Sequence, residues 1–182
     1  MGQTKNMGQT KKEFLTIEEL AENLATFAIN RDELKMLLQA IPENMDLNLT
    51  TVEYELQILK ILSVGWAISF YMPPEGEYKM KLVQFFWNHI REISASISNL
   101  TGTSTGREID YFAILKERLD MYLKAMEKIP KGQNDPSCVM GPAFASACKS
   151  DNNAAAILTG TKMFTMSLGG VREYLDAVEI KE

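Results

Sequence analysis

The most apolar part of the chain is residues 52–72, where Lys60 is the only charged residue after Glu55. Large apolar side chains recur there at spacings of three, four and seven, and further aliphatic residues cover the neighbouring sides. A helix that is apolar around most of its circumference has to be surrounded by other helices. The pattern therefore predicts a central, buried helix, from which Lys60 extends its ammonium group to the surface along its aliphatic stem.

Capping signals predict where the first helices begin. Thr16 and Glu19 have the spacing of a capping box, in which each side chain bonds the backbone N–H of the other residue. The same spacing opens a second, short helix at Asn30 and the central helix at Thr50, and Pro42 stops the short one. The residues predicted to be buried are Ile17, Leu20, Leu24, Phe27 and Ala28 in the first helix and Leu34, Leu37, Leu38 and Ile41 in the second.

Two further long helices are predicted after the central one. Residues 78–100 carry apolar side chains at spacings of three and four and a polar opposite face. The segment 101–106, Thr-Gly-Thr-Ser-Thr-Gly, predicts a flexible turn, and Thr105 with Glu108 predicts the cap of a helix over 107–129. Since the connections are only a few residues long, we expect the three long helices to be antiparallel neighbours.

The C-terminal part is richer in small residues. Residues 131–142 predict the longest ordered loop, 142–149 a short helix, and 153–168 a helix whose Ala, Gly and Thr allow neighbouring helices to approach closely. The Gly-Gly pair at 169–170 predicts a break, followed by a last helix over 171–179. No segment alternates between apolar and polar residues with turn signals at its ends, so we predict no sheet.

These elements together predict an all-α fold, a single-domain helical bundle of three long central helices with shorter N- and C-terminal helices. The length of 182 residues and the hydrophobic content of 46% are sufficient for one core. The sequence MGQTK occurs twice near the start, in a polar and basic setting. We therefore expect residues 1–13 to form a disordered tail and residues 14–182 a single helical domain.

Composition narrows the classes of partner and location. The 24 acidic and 19 basic residues give a net charge of −5, and the lysines are scattered, which argues against a nucleic-acid partner. The uncharged apolar stretch 61–72 is shorter than the roughly 18 residues that cross a bilayer, so we expect no membrane insertion. The first residues lack the apolar core of a secretory signal. A cytoplasmic location with reduced Cys138 and Cys148 is predicted.

The sequence contains no motif that assigns a reaction. His89 is the only histidine, and a carboxylate-bridged metal pair in a helical bundle requires two. The segment 102–107 lacks the spacing and the lysine of a phosphate-binding loop. We therefore expect no catalytic residue, no metal and no cofactor, and enzymatic activity is the less favoured interpretation.

Two hypotheses of function remain. The first is a protein–protein interaction or assembly module that binds a protein partner or forms a homo-oligomer through a helix face. It rests on the missing catalytic motifs, on eleven methionines, whose flexible thioethers suit adaptable surfaces, and on small-residue C-terminal helices that a partner would complete.

The second hypothesis is a helical bundle that binds a small apolar ligand in an aromatic-lined pocket. Several large rings lie on the long helices, mostly towards the ends that meet at the prolines 73–74. Aromatic residues at helical spacing also form ordinary cores, which is the alternative interpretation. The predicted lining residues are Trp66, Tyr71, Trp87 and Tyr111, with His89 or Arg91 as the polar contact.

Overall fold

The computed structural model describes residues 12–73, 77–106, 108–129 and 135–181. In these ranges a strand, β1 (Glu13–Leu15), precedes the helices, and a second strand, β2 (Val178–Ile180), follows them. The predicted all-α class is confirmed. The helices are α1 (Ile17–Ile29), α2 (Asp32–Gln39), α3 (Leu49–Tyr71), α4 (Glu77–Thr105), α5 (Tyr111–Met126), α6 (Ser137–Ala147) and α7 (Ala154–Ala177).

Helix α3 is the centre of the fold, as its apolar sequence predicts. Every residue from 58 to 65 is buried, and α3 contacts α1, α2, α4, α5, α6 and α7, with the most extensive contact to α7. The helix begins earlier than predicted, because Asn48 Oδ1 accepts a hydrogen bond from the Thr51 N–H at 3.0 Å. Asn48, and not Thr50, is therefore the capping residue.

Lys60 does not reach the surface. Its ammonium group is buried and donates hydrogen bonds to the Asn30 carbonyl oxygen at 2.7 Å and to Glu33 Oε2 at 2.5 Å. The ammonium group also lies 4.5 Å from the centre of the Phe27 ring. The last turn of α1 contains no basic residue of its own. Lys60 of α3 supplies the positive charge that stabilises the negative end of that helix.

The capping boxes predicted at the first two helices have different outcomes. At α1 the box is present, with Thr16 Oγ1 accepting from the Glu19 N–H and Glu19 Oε2 accepting from the Thr16 N–H. At α2 it is absent, because Asn30 Oδ1 accepts from the Asp32 N–H at 2.8 Å while the Glu33 carboxylate binds Lys60. The buried ammonium group thus takes the carboxylate that the box needs.

Helix α4 continues through the segment that the sequence predicts as a turn. Hydroxyl groups in 101–105 donate to carbonyl oxygens four residues earlier, as at Thr101 (2.8 Å), so these side chains are satisfied within the helix. The helix ends before Gly106, whose φ of +67° is left-handed. Helix α5 then begins at Tyr111 and is capped by Asp110, whose Oδ1 accepts from the Ala113 N–H at 2.9 Å, so the predicted Thr105 cap is wrong.

The C-terminal helices are longer than predicted. Helix α6 begins before Pro142, which lies inside it, and residues 131–134 of the predicted loop lie outside the described part. Helix α7 runs without a break through the Gly-Gly pair at 169–170. A Cβ atom on Gly170 would lie 2.9 Å from the ring of Phe27, so this glycine makes room for a side chain of α1.

Strands β1 and β2 form a short parallel pair, and the prediction of no sheet is wrong at this point. Glu13 pairs with Val178 and Leu15 with Ile180, and the Lys181 N–H continues the ladder to the Leu15 carbonyl oxygen at 2.8 Å. Three-residue strands are too short to give a period-two signal. Residues 1–11 of the predicted tail lie outside the described residues.

Candidate functional site

A groove with a volume of about 620 Å³ lies where α1 ends, beside the N-terminal half of α3, the C-terminal half of α4 and the start of α5. This volume is in the range of roughly 300–1,000 Å³ that small-molecule sites occupy. We call it the tyrosine groove, after Tyr54 and Tyr111. Its aliphatic walls are formed by Ile29, Ile61, Ile93, Ile97 and Ile109.

Tyr54 and Tyr111 provide the aromatic part of the groove. Their rings meet edge to face, with 6.1 Å between the ring centres and 76° between the planes. Burial raises the pKa of the Tyr111 phenol, and the neighbouring Tyr54 and Glu55 raise it further. Burial, and then Glu55, also raises the pKa of Tyr54. Both phenols therefore stay uncharged at neutral pH.

Gln57 places an amide group in this apolar wall. Its Nε2 donates a hydrogen bond to the Ala28 carbonyl oxygen at 2.9 Å, which satisfies a carbonyl in the last turn of α1. Since a carbonyl oxygen only accepts hydrogen bonds, this contact fixes the nitrogen towards Ala28. Gln57 Oε1 is buried and has no hydrogen-bond partner among the described residues. Gln57, a residue of the groove wall, therefore has a buried acceptor without a donor among the described residues.

Two charged side chains, Arg31 and Glu53, and the threonines Thr50 and Thr101 complete the lining. Arg31 lies between α1 and α2 and forms an ion pair with Glu53 of α3. The two side chains are 53% and 39% exposed, so the pair lies at the open edge of the groove. Because the two charges compensate each other and the tyrosines are neutral, the lining of the groove has no net charge.

A hydrogen-bonded contact between α4 and α5 holds Tyr111 in place. The Tyr111 N–H donates to Ser98 Oγ at 3.0 Å, and the Ser98 hydroxyl donates to the Ser94 carbonyl oxygen at 2.8 Å. Ser98 thereby joins the first turn of α5 to the backbone of α4. The separation of these two walls is thus set by the Ser98 side chain, which bonds to the backbone on both sides.

The structure places the six predicted site residues in several environments. Tyr111 lines the tyrosine groove. Trp66 lies edge-on to Tyr122 and Phe164, with 6.2 and 6.3 Å between ring centres, and so belongs to the packing of α3 with α5 and α7. Trp87 packs against Phe86 of its own helix, with 5.2 Å between ring centres.

Tyr71, His89 and Arg91 have surroundings of their own. Tyr71 is exposed at the end of α3, where the Arg172 guanidinium lies 5.9 Å from its ring centre. Arg91 lies 5.4 Å from the centre of the Phe112 ring, and His89 is half-buried on α4. A pocket shared by all six residues stays a prediction, whereas Gln57 and Tyr54 are groove residues that the sequence reasoning missed.

A second cluster of ionisable groups lies between α3, α5 and α6. The Glu55 carboxylate accepts three hydrogen bonds from Arg118, from Nε to Oε2 at 2.9 Å, from Nη2 to Oε1 at 2.8 Å and from Nε to Oε1 at 3.2 Å. These bonds raise the pKa of Arg118 above its ordinary value. Burial, and then Glu55, raises the pKa of Tyr122. The same two causes raise the pKa of the Cys148 thiol to about 12. The thiol and the phenol are therefore protonated at neutral pH and supply no nucleophile.

The two cysteines should differ strongly in reactivity. Cys138 is exposed and Cys148 is buried, and both are free thiols. With a pKa of about 12, roughly one Cys148 thiol in ten thousand is ionised at pH 8. We expect iodoacetamide to modify Cys138 at least a hundred-fold faster than Cys148, as measured by peptide mass spectrometry. In concentrated urea both should react at similar rates, and similar rates in the folded protein would contradict the burial of Cys148.

Two further properties of the described residues concern metal binding and membrane insertion. In the described ranges, no group of three or more His, Cys, Asp or Glu side chains is placed to hold a metal ion. Within the same part of the chain, no helix has both the length and the apolar character required to span a bilayer. Comparison with known proteins gives no match to a family model, a curated protein or a solved structure.

Proposed function

We propose that this protein binds a small apolar molecule in the tyrosine groove. The observation that supports this most directly is the groove itself, with a volume of about 620 Å³ between isoleucine side chains and the rings of Tyr54 and Tyr111. Apolar walls with a few polar groups are typical of small-molecule sites, and Thr50, Thr101 and Gln57 are the uncharged polar residues among the isoleucines and tyrosines here.

The apolar walls of the groove would provide the affinity for the bound molecule. The isoleucines and the two tyrosine rings present apolar surface that a ligand would cover, at about 25 cal/mol for each Å² removed from water. Tyr54 is partly exposed, so its ring lies where a ligand would enter. The activity proposed is binding without catalysis, since the phenols are protonated and Arg31 and Glu53 bind each other. A cytoplasmic location remains a prediction.

Assembly with a protein partner or a second copy is the second candidate. Large apolar side chains are exposed where α3 ends and α4 begins, most of all Met80 at 74%. Apolar side chains gathered in this way are typical of contact surfaces. The exposed residues at this corner are Phe70, Tyr71, Tyr78 and Met80. A protein partner or self-association stays a prediction for this surface.

The proposed site is tested by filling the groove. The probe is 9-anthracenemethanol, whose fluorescence anisotropy is followed at wavelengths that Trp and Tyr do not absorb. Ile97 lines the groove and Met80 does not, although both lie on α4. We expect the Ile97→Trp variant to bind the probe at least ten-fold more weakly than the wild type, because the indole occupies the groove. The matched control Met80→Trp should bind as the wild type does.

Two results would contradict the proposal. The first is an anisotropy that does not change with wild-type protein, and the second is an Ile97→Trp variant that binds the probe unchanged. Far-UV circular dichroism and the thermal midpoint of each variant show whether the fold is retained. Native mass spectrometry of the same samples reports dimers, so it separates binding of the probe from self-association through the corner that contains Met80.

A further inference from the structure

We propose that a second groove, between α5 and α6, binds an anionic amphiphile, a molecule with a flexible aliphatic chain and a carboxylate head group. This groove has a volume of about 480 Å³, within the roughly 300–1,000 Å³ of small-molecule sites. We call it the lysine groove, after Lys124 and Lys128, which both line it. It shares no lining residue with the tyrosine groove, so the inference does not depend on the function proposed there.

The apolar part of the lysine groove suits an aliphatic chain. None of the five apolar residues that line it is aromatic. They are Met121 and Ala125 of α5 and Val139, Pro142 and Ala143 of α6. The flexible methionine side chain adapts its shape to a flexible ligand, whereas the lining offers no ring on which a flat ligand would stack. The apolar residues therefore favour a chain over an aromatic ring system.

The two lysines give the groove a positive charge. Lys124 lies in the last turn of α5, whose negative end it partly balances, and Lys128 follows that helix. Both residues are exposed, and neither forms an ion pair within the part of the chain that the structure describes. No acidic residue is among the described residues of the lining, although the whole chain has 24 acidic and 19 basic residues. The groove also includes Cys138 in the first turn of α6, at the positive end of that helix.

Acidic residues near the groove do not cancel this charge. Asp120 and Glu127, towards the end of α5, are exposed, and neither lines the groove or forms an ion pair with either lysine. Asp135 Oδ1 accepts a hydrogen bond at 2.9 Å from a backbone N–H in the first turn of α6. Asp151 accepts from the hydroxyl of Ser146, which lines the groove. A ligand carboxylate is therefore the group that completes the two lysines, while its chain covers the apolar residues beside them.

Cys138 reports whether the lysine groove is occupied. Its thiol is exposed, and the residue lines the groove next to Val139. A chain bound against the apolar residues would therefore hinder the reaction of this thiol with an alkylating reagent. A molecule bound in the tyrosine groove would leave the thiol accessible, because Cys138 does not line that groove.

The test compares octanoate with octylammonium, which share the chain and carry opposite charges. Binding is followed through the backbone ¹⁵N–¹H resonances of Ala125, Val139 and Ala143, and occupation of the groove through the rate at which iodoacetamide alkylates Cys138. We expect the wild-type protein to bind octanoate roughly ten-fold more tightly than octylammonium, because the lysines attract one head group and repel the other. Saturating octanoate should slow the alkylation of Cys138 several-fold.

A double variant tests the two lysines directly. Lys124→Gln, Lys128→Gln should bind octanoate roughly ten-fold more weakly than the wild type does, since it keeps the apolar residues and loses both charges. The matched control is Lys35→Gln, Lys181→Gln, which changes the net charge by the same amount. Both of these lysines are exposed and lie outside the lysine groove, so the control should bind octanoate as the wild type does.

Four results would overturn the inference. They are no binding of octanoate, equal binding of octanoate and octylammonium, binding that leaves the alkylation rate of Cys138 unchanged, and unchanged octanoate affinity in a folded Lys124→Gln, Lys128→Gln variant. The first three are measured on the wild-type protein and do not depend on the folding of a variant. Octanoate binding that is weakened by Ile97→Trp and leaves Cys138 accessible would place the ligand in the tyrosine groove instead.

Discussion

Replacing Arg118 with methionine should lower the free energy of unfolding by about 3–5 kcal/mol, because the Glu55 carboxylate then stays in the interior without a cation. The Glu55 side chain is 3% exposed and the Arg118 side chain 22% exposed, so water cannot replace the lost partner at Glu55. Methionine keeps most of the length and the apolar stem of arginine. The loss is therefore electrostatic and is measured as the shift of the urea unfolding midpoint, followed by circular dichroism.

Two control variants show whether the unpaired charge of Glu55 causes the loss of stability. In the double variant Glu55→Leu, Arg118→Leu the buried charge is removed together with its partner, and we expect most of the lost stability to return. Arg172 forms an ion pair with Asp176 at 4.0 Å, and these side chains are 66% and 78% exposed. Arg172→Met should therefore cost less than about 1 kcal/mol. If Arg118→Met were as mild as Arg172→Met, Glu55 would not be buried as the structure places it.

The central helix could be predicted from the sequence because a helix buried on all sides consists of an almost unbroken run of apolar residues. Residues 52–72 are apolar on almost every side, and α3 is enclosed accordingly. Local signals were less reliable where tertiary contacts override them. Gly170 remains helical because the Phe27 ring occupies the space beside it. Residues 101–105 remain helical because threonine hydroxyls there donate hydrogen bonds to carbonyl oxygens of the same helix.

The groove was harder to predict than the fold. Gln57 was visible in the sequence as an uncharged polar residue within an apolar run, but its partner Ala28 lies 29 residues away. Lys60 behaves in the same way, since it binds the Asn30 carbonyl oxygen 30 residues earlier. Both side chains satisfy the end of α1, and only the packing of α1 on α3 brings them there. A sequence pattern gives the face of one helix, but not the helix that covers it.

The arrangement of the predicted aromatic lining residues could not be read from the sequence for a related reason. Periodicity placed Trp66, Trp87 and Tyr111 on long helices, but it contains no information about the rotation of one helix against another. In the structure Trp66 faces α5 and α7, while Tyr111 faces Tyr54 of α3. The groove depends on isoleucines from α1, α3, α4 and the segment before α5, which gave no signal distinct from an ordinary core.

Helices α6 and α7 approach each other closely at two glycines. Helix α6 lies against α7, and glycine forms the contact on both sides. A Cβ atom on Gly160 would lie 2.6 Å from atoms of Phe144, and one on Gly141 would lie 2.6 Å from the Ile157 carbonyl oxygen. Flexible side chains can move away from such a collision, but a backbone oxygen in the facing helix cannot move alone.

We therefore expect Gly141→Ala to lower the free energy of unfolding by about 2–3 kcal/mol, although alanine is the better helix former. The new methyl group would also overlap with Thr161 Oγ1. Since that hydroxyl donates to the Ile157 carbonyl oxygen at 2.9 Å, α6 has to move away from α7. Gly169→Ala is the matched control: no atom lies within 4 Å of its Cβ position, and the variant should gain about 0.5–1 kcal/mol. Opposite shifts of the two thermal midpoints would establish that close approach, rather than glycine itself, determines stability here. Parallel shifts would show that α6 and α7 are farther apart.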